Sequence, residues 1–214
     1  DDPRWSTYLR LEQTLRHEGW HHTSPFFLDA LASVYGHRAR VGCFNAGRRA
    51  GKSSAIIRAM VADCVAGTQG LCHPVSPGDV GTFVIVSANK EQAKDRLITV
   101  CAALDAVGLR YKPLSQVVHL VDYPYRFQVY AANKDAVVSQ TACGAFCDEL
   151  ARWRRSDTGK NPGKEVLSSL MPSMITMPHA ILWLASTPWV EDDLHQQWMG
   201  PLGVPKSDPR KATV

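Results

Sequence analysis

Along the chain, short runs that are apolar nearly throughout alternate with longer amphipathic stretches. Arg40–Asn45, Thr82–Ser87, Gly144–Cys147 and Ala180–Ala185 are of the first kind, and such runs predict strands buried on both faces. Val117–Val121 and Phe127–Ala131 predict two further strands, with Asp122-Tyr123-Pro124-Tyr125 turning between them. Helical spacing occurs at Tyr8–His17, from Ser24 to Tyr35, over Ser53–Ala66, from Asn89 to about Val107, and around Lys164–Met171. Ser24 can cap the second of these helices, with Pro25 in its first turn. Gly67–Gly81 and Arg152–Gly163 read as loops. Strands alternating with helices predict an α/β fold, a mainly parallel sheet with helices on both faces. The expected organisation is an N-terminal extension over 1–23, a core over 24–190 and a C-terminal segment over 191–214.

Composition alters this picture little. The 214 residues carry 24 Lys+Arg against 20 Asp+Glu, a formal charge of +4 that permits an acidic polymer as partner without requiring one. Six cysteines, at 43, 64, 72, 101, 143 and 147, form no CxxC pair and no Cys/His zinc spacing. Buried free thiols in a reducing cytoplasm are expected, with Cys143 and Cys147 on one side of a strand. No apolar stretch has the length of a membrane span and no signal-peptide pattern is present. The chain opens on Asp rather than Met, which reads as a domain taken from a longer protein.

Chemistry concentrates where apolar runs end. The segment Val41-Gly-Cys-Phe-Asn-Ala-Gly-Arg-Arg-Ala-Gly-Lys-Ser53 sets a glycine-containing loop between a strand and a helix. Small residues let backbone N–H groups converge on phosphate oxygens, and the helix N-terminus adds positive potential. In such a loop Lys52 would reach the β- and γ-phosphates and the Ser53 hydroxyl would ligate Mg2+. Candidate nucleotide contacts are Ala46, Gly47, Arg48, Arg49, Ala50, Gly51, Lys52, Ser53 and Ser54, with Ala46 standing where the pattern has its first glycine. Arg48 and Arg49 fit either solvated loop charges or a guanidinium that stabilises the γ-phosphate, and Arg48 is the favoured candidate.

Two other strand ends could complete the site. The run from Cys143 ends in Asp148-Glu149; Asp148 would sit near Mg2+, and Glu149 would act as general base or position the attacking water. Taken alone, such a pair also fits a solvated helix start. Ile181–Ala185 ends in Ser186-Thr187-Pro188, which fits a plain turn or hydroxyls that sense the γ-phosphate and pass the change on.

Together these segments resemble the ATPase domain of the large terminase subunit, the DNA-packaging motor of tailed phages. Gly47-Arg-Arg-Ala-Gly-Lys-Ser53 looks like that family's variant phosphate loop, and Phe146-Cys147-Asp148-Glu149 like its Walker B segment and catalytic glutamate. Ser186-Thr187-Pro188 is similar to its coupling motif, and Ser87-Ala-Asn-Lys-Glu-Gln-Ala93 to its second strand-to-helix junction. The resemblance implies a P-loop NTPase of the additional-strand, catalytic-glutamate class, using ATP and Mg2+. It implies Lys52, Arg48 and Glu149 as catalytic residues, Ser53 and Asp148 as metal residues, and Ser186 and Thr187 for coupling. It also implies double-stranded DNA held by its phosphates, a small terminase subunit and a portal as partners, and a ring of identical subunits in the host cytoplasm, with a monomer in isolation.

Two departures stand out. The glutamine that often reads adenine upstream of the loop is missing from Ser24-Pro25-Phe26-Phe27, although Phe26 or Phe27 could stack on a base. The acid-rich nuclease domain that follows in large terminases lies outside these 214 residues; the segment 191–214 is expected to lead to such a domain, and Glu191-Asp192-Asp193 reads as a helix start. Arg152, Arg154, Arg155 and Lys160, with Trp153 among them, fit a solvated loop, DNA contacts or an arginine reaching a neighbour's nucleotide. A helicase-like ATPase and a nucleotide-gated module with little hydrolysis are the alternative functions.

Overall fold

Among the described residues, eight strands form one sheet in the order β3-β4-β5-β2-β6-β7-β1-β8. They are β1 Val41–Asn45, β2 Gly81–Ser87, β3 Tyr111–Pro113, β4 Val117–Leu120, β5 Tyr125–Ala131, β6 Thr141–Asp148, β7 Leu182–Ser186 and β8 Lys211–Thr213. The helices are α1 Pro3–His17, α2 Pro25–Gly36, α3 Lys52–Thr68, α4 Lys90–Ala106, α5 Gly163–Ser173 and α6 Leu194–Met199. The structure, a computed structural model, describes residues 2–132, 140–154, 159–187, 194–199 and 211–213.

The five central strands β5, β2, β6, β7 and β1 run parallel, and all but β5 have the nearly unbroken apolar runs of strands covered on both faces. Every residue of β2 and β7 is buried. The antiparallel ladders β3–β4 and β4–β5 extend the sheet at one edge, where burial alternates along β4 and β5 in the pattern of strands covered on one face.

Helices lie on both faces. Phe44 of β1 contacts Phe27 of α2 and Trp183 of β7, while its neighbour Cys43 approaches His195 of α6. Successive strand residues point to opposite faces, so α2 and α6 flank β1 from opposite sides. Tyr35 of α2 meets Trp5 of α1 and donates its hydroxyl to Asp63 of α3, which puts these three helices in one layer. Gly42 leaves room for the Trp183 ring of the neighbouring strand: a Cβ there would lie 2.6 Å from it.

The ends of the elements differ from the expectations in ways the packing explains. Helix α1 begins at Pro3, capped by the Asp2 carboxylate, and Tyr8, Leu11 and Leu15 join the core. Ser24 occupies the N-cap of α2, but its side chain caps nothing. All six cysteines are free thiols, and five are buried. The Glu191-Asp192-Asp193 run lies outside the described residues, as does Arg155.

Candidate active site

Strands β1, β6 and β7 are adjacent and parallel, so their carboxyl ends come out side by side. Those ends are Asn45, which leads into the loop, Asp148-Glu149 and Ser186-Thr187. The open edge above a parallel sheet is where α/β folds place ligands. Helix α3 starts at Lys52 after Gly51, whose φ of 88° is a left-handed conformation suited to glycine. Its first-turn N–H groups, without partners inside the helix, face the loop end of the sheet.

Side chains from the first turn of α3 and from the ends of β6 and β7 interlock. Lys52 Nζ lies 2.7 Å from Glu149 Oε1 and donates to Thr187 Oγ1 at 3.1 Å. Thr187 gives its backbone N–H to Glu149 Oε2 at 3.0 Å and its hydroxyl to Oε1 at 3.2 Å. Beside them the Ser53 hydroxyl donates to Asp148 Oδ1 at 2.9 Å. Burial alone would push the Glu149 carboxyl up, but Lys52 and the Thr187 donors outweigh it and hold the group below its ordinary 4.5. Glu149 is therefore a carboxylate at neutral pH.

The backbone at Glu149 is itself unusual, with φ 55° and ψ 44° in the left-handed region. A non-glycine residue there costs about 1–2 kcal/mol, and such residues cluster at functional sites. The conformation turns the chain out of β6 into a short 3-10 turn, Leu150–Arg152. Two contacts hold that turn: Ser186 Oγ accepts the Ala151 N–H at 3.2 Å, and Trp153 Nε1 donates to the Asp148 carbonyl at 2.9 Å. Ser186 and Thr187 thus do different things. Ser186 braces the turn, and Thr187 touches Lys52 and Glu149.

A cavity of about 660 Å3 opens over this cluster, lined by the loop from Arg48 to Ser54 and by Gln92, Arg96, Glu149 and Arg152. Five of those residues are Lys or Arg and one is Glu, a balance suited to a polyphosphate. Ala46 and Gly47 stand outside the lining, since the Ala46 N–H continues the ladder to the Ser186 carbonyl at 3.3 Å. Arg152 Nε lies 3.5 Å from Glu149 Oε2.

A second cavity of about 650 Å3 adjoins the first, sharing Arg49, Ala50, Gly51 and Ser54. Its other wall is Gly19–Ser24 together with Phe27, Ala55 and Arg58. Of the two phenylalanines considered for base stacking, Phe27 edges this cavity, whereas Phe26 is half exposed and lies outside it. Trp20, His21 and His22 went unrecognised in the sequence, where no motif marks them.

Two further expectations need correcting. Trp153 is fully buried, so it cannot offer a ring to DNA; it packs under Asp148, although its arginine neighbours suggested an exposed loop. Arg96 of α4 was missed, yet its Nε lies 2.7 Å from Asp148 Oδ2. The available signal was its place four residues after Gln92, on the same helix face.

One strand, β7, lies between the phosphate-loop strand β1 and the acid-bearing strand β6, and a glutamate directly follows Asp148. The arrangement is an α/β fold with a mostly parallel sheet and helices on both faces, as the sequence predicts. No protein-family model and no curated protein matches the chain. Solved structures do, among them large terminases and a DNA packaging ATPase of bacteriophages. The large terminase of bacteriophage HK97 is similar with a TM-score of 0.63 and 16% identity, over 89% of this chain and 38% of that one. The large terminase ATPase domain of Thermus phage P74-26 is similar with a TM-score of 0.59 and 15% identity, over 84% and 75%. The N-terminal domain of the DNA packaging ATPase from bacteriophage phi29 gives a TM-score of 0.56 and 11% identity, over 87% and 90%. The resemblance to large terminase ATPase domains therefore holds at the level of the fold.

Proposed function

We propose that this chain is the ATP-hydrolysing motor domain of a phage DNA-packaging terminase, coupling turnover to translocation of double-stranded DNA into a capsid. The observation that carries the reading is the single cluster of Lys52, Ser53, Asp148, Glu149 and Thr187 under one cationic cavity. The triphosphate would lie in the cavity over the loop, and the nucleoside would extend into the adjoining one beside Trp20 and Phe27. A large terminase of similar fold, from a thermophilic bacteriophage, has been solved with ADP bound.

Ser53 Oγ and Asp148 Oδ1 are hard oxygen donors 2.9 Å apart, a pair suited to Mg2+, which keeps several waters and takes few protein ligands. When bound, the ion would neutralise charge on the phosphate oxygens. The chain's own residues do the rest by exchanging partners. Lys52 is engaged by Glu149 and Thr187. A terminal phosphate entering the cavity competes for that ammonium, and its release frees Glu149 Oε1 to accept a hydrogen bond from the attacking water. Glu149, an ionised carboxylate, then orients that water and takes up its proton as the water oxygen bonds the γ-phosphorus and the bond from that phosphorus to the β-phosphate oxygen breaks, releasing ADP. Thr187 touches both Lys52 and Glu149, so it registers the exchange and is the first residue of the coupling segment to feel it. Arg48 lines the same cavity and would stabilise the transferred phosphoryl group.

In this reading the domain works in a ring at the procapsid in the host cytoplasm, with a small terminase subunit, a portal and the DNA backbone as partners. Among the described residues no helix is long and apolar enough to cross a membrane. The test is Glu149→Gln, which keeps shape and hydrogen bonding but removes the base. ATP binding should persist while phosphate release falls by about 10^2–10^4-fold. Unchanged turnover in that variant would remove Glu149 from the mechanism.

A further inference from the structure

The structure assigns Arg96 a role in the nucleotide site: we propose that it reads the terminal phosphate, aimed at it by Asp148. The inference rests on the nucleotide reading above and adds a residue that belongs neither to the phosphate loop nor to the strand ends already described.

Strand β2 pairs with β6 in parallel, Val86 opposite Cys147, so the chain leaves β2 beside the point where Asp148 ends β6. Helix α4 starts three residues after Ser87, its N-terminus capped by the Asn89 side chain on the Gln92 N–H at 2.9 Å. Gln92 and Arg96, one turn apart, both line the phosphate cavity. The sheet thus delivers a cation from a fourth element to the same space as Lys52 and Arg48.

Next comes the way the guanidinium is held. Its Nε donates to Asp148 Oδ2 at 2.7 Å, while Ser53 occupies the other oxygen of that carboxylate. Asp148 is buried, whereas the Arg96 side chain is 29% exposed, at the cavity wall. Only Nε is engaged: among the described residues the two Nη groups meet no acceptor. A guanidinium is a rigid fork of five donors, able to serve a carboxylate from one edge and a phosphate from the other. Anchored through Nε, it loses little freedom when a phosphate arrives, which favours binding. A lysine here could neutralise Asp148 but could not bridge the two anions.

This arrangement has a consequence for the motor. The triphosphate would be sensed by α4 as well as by β7, so presence or absence of the terminal phosphate would bias two elements on opposite sides of β6. ADP, which lacks that phosphate, would leave Arg96 with Asp148 alone.

Binding of a non-hydrolysable ATP analogue and of ADP to the full chain separates the possibilities, measured with Mg2+ and again with EDTA. Arg96→Ala should weaken the analogue by about tenfold to a hundredfold, as lost charge-assisted hydrogen bonds do, and ADP by less than about threefold. The loss should persist in EDTA, because the contact is with phosphate rather than through the metal. Equal losses for both nucleotides, no loss, or a loss seen only with Mg2+ each overturns the proposal. Should Arg96→Ala fail to fold, Arg96→Lys keeps a cation against Asp148 and should show the same selective loss in weaker form; full ATP selectivity in that variant also overturns it. Lys52→Ala serves as the control. If the wild-type chain binds neither nucleotide, the nucleotide reading falls and this inference with it, whereas tight wild-type binding with an unaltered Arg96→Ala removes this inference alone.

Discussion

Helix α3 carries two buried cations, Lys52 in its first turn and Arg58 further along, and each meets a glutamate at 2.7 Å. The surroundings of the two pairs differ sharply. Arg58 and Glu12 are 5% and 4% exposed, and Glu12 also accepts from the Thr23 hydroxyl at 2.7 Å and from Tyr8 at 3.2 Å. Arg58 gives its remaining Nη group to the His21 carbonyl at 2.9 Å and lies over the Trp20 ring. Glu149 is 21% exposed, sits in a left-handed conformation and opens onto the cavity over the 48–54 loop. One pair is sealed in a polar network that fixes α1 and the Gly19–Ser24 wall against α3. The other is held in place by partners that a ligand could replace. Distance alone does not separate a structural ion pair from one proposed to work; what matters is whether another anion can reach the cation.

The largest expected effect tests that distinction directly. Glu12→Ala leaves the Arg58 charge buried without its carboxylate, a change that costs about 3–5 kcal/mol. Glu149→Ala leaves Lys52 at the edge of a cavity that water can enter and removes a left-handed glutamate. Its cost should stay within about 1 kcal/mol, in the range of solvent-accessible pairs. Urea unfolding of the two variants measures both quantities. Equal losses would erase the difference between the pairs.

Second in size is the response to ligand. A nucleotide that binds only the folded chain raises stability by about 2.7 kcal/mol at a hundred times its dissociation constant. The wild-type chain should show that increment in thermal unfolding with a non-hydrolysable ATP analogue, and Lys52→Ala should lose most of it. An undiminished increment in Lys52→Ala would mean that its ammonium stays with Glu149 when nucleotide binds, contrary to the partner exchange proposed here.

The comparison also shows what a sequence can carry. The loop, the acid pair and the hydroxyl pair were legible because each is a short segment at the end of an apolar run, and parallel pairing brings such ends together. Six strands announced themselves by composition. Strand β3, three residues including Pro113, has too little apolar content to do so, and β8 exists by pairing with β1. Arg58 and Glu12 are 46 positions apart, and Arg96 and Asp148 are 52. No local pattern links such residues, so both partnerships depend on how helices settle on the sheet. Trp153 was misread for a related reason: its arginine neighbours suggest solvent, while the 3-10 turn after Glu149 folds the indole inward.

The smallest effect is in the acid limb of stability, where the two glutamates part again. Burial pushes Glu12 up, but the Thr23 hydroxyl and the Arg58 guanidinium pull it down further, and its carboxyl ends below the ordinary 4.5, as does that of Glu149. A carboxyl whose folded value is depressed adds stability above its unfolded value and loses it as pH falls through the folded one. The gap in unfolding free energy between wild type and Glu12→Gln should therefore be widest near neutrality and close as pH falls below 4.5. Glu149→Gln should open a narrower gap that closes over the same range, since water screens the pair it disrupts. Urea unfolding repeated from neutral pH down to about pH 3 follows both gaps through that range. A gap for Glu12→Gln that stays constant into acid would show that the Glu12 charge contributes nothing beyond its shape, and the sealed pair would then differ from the working one only in burial.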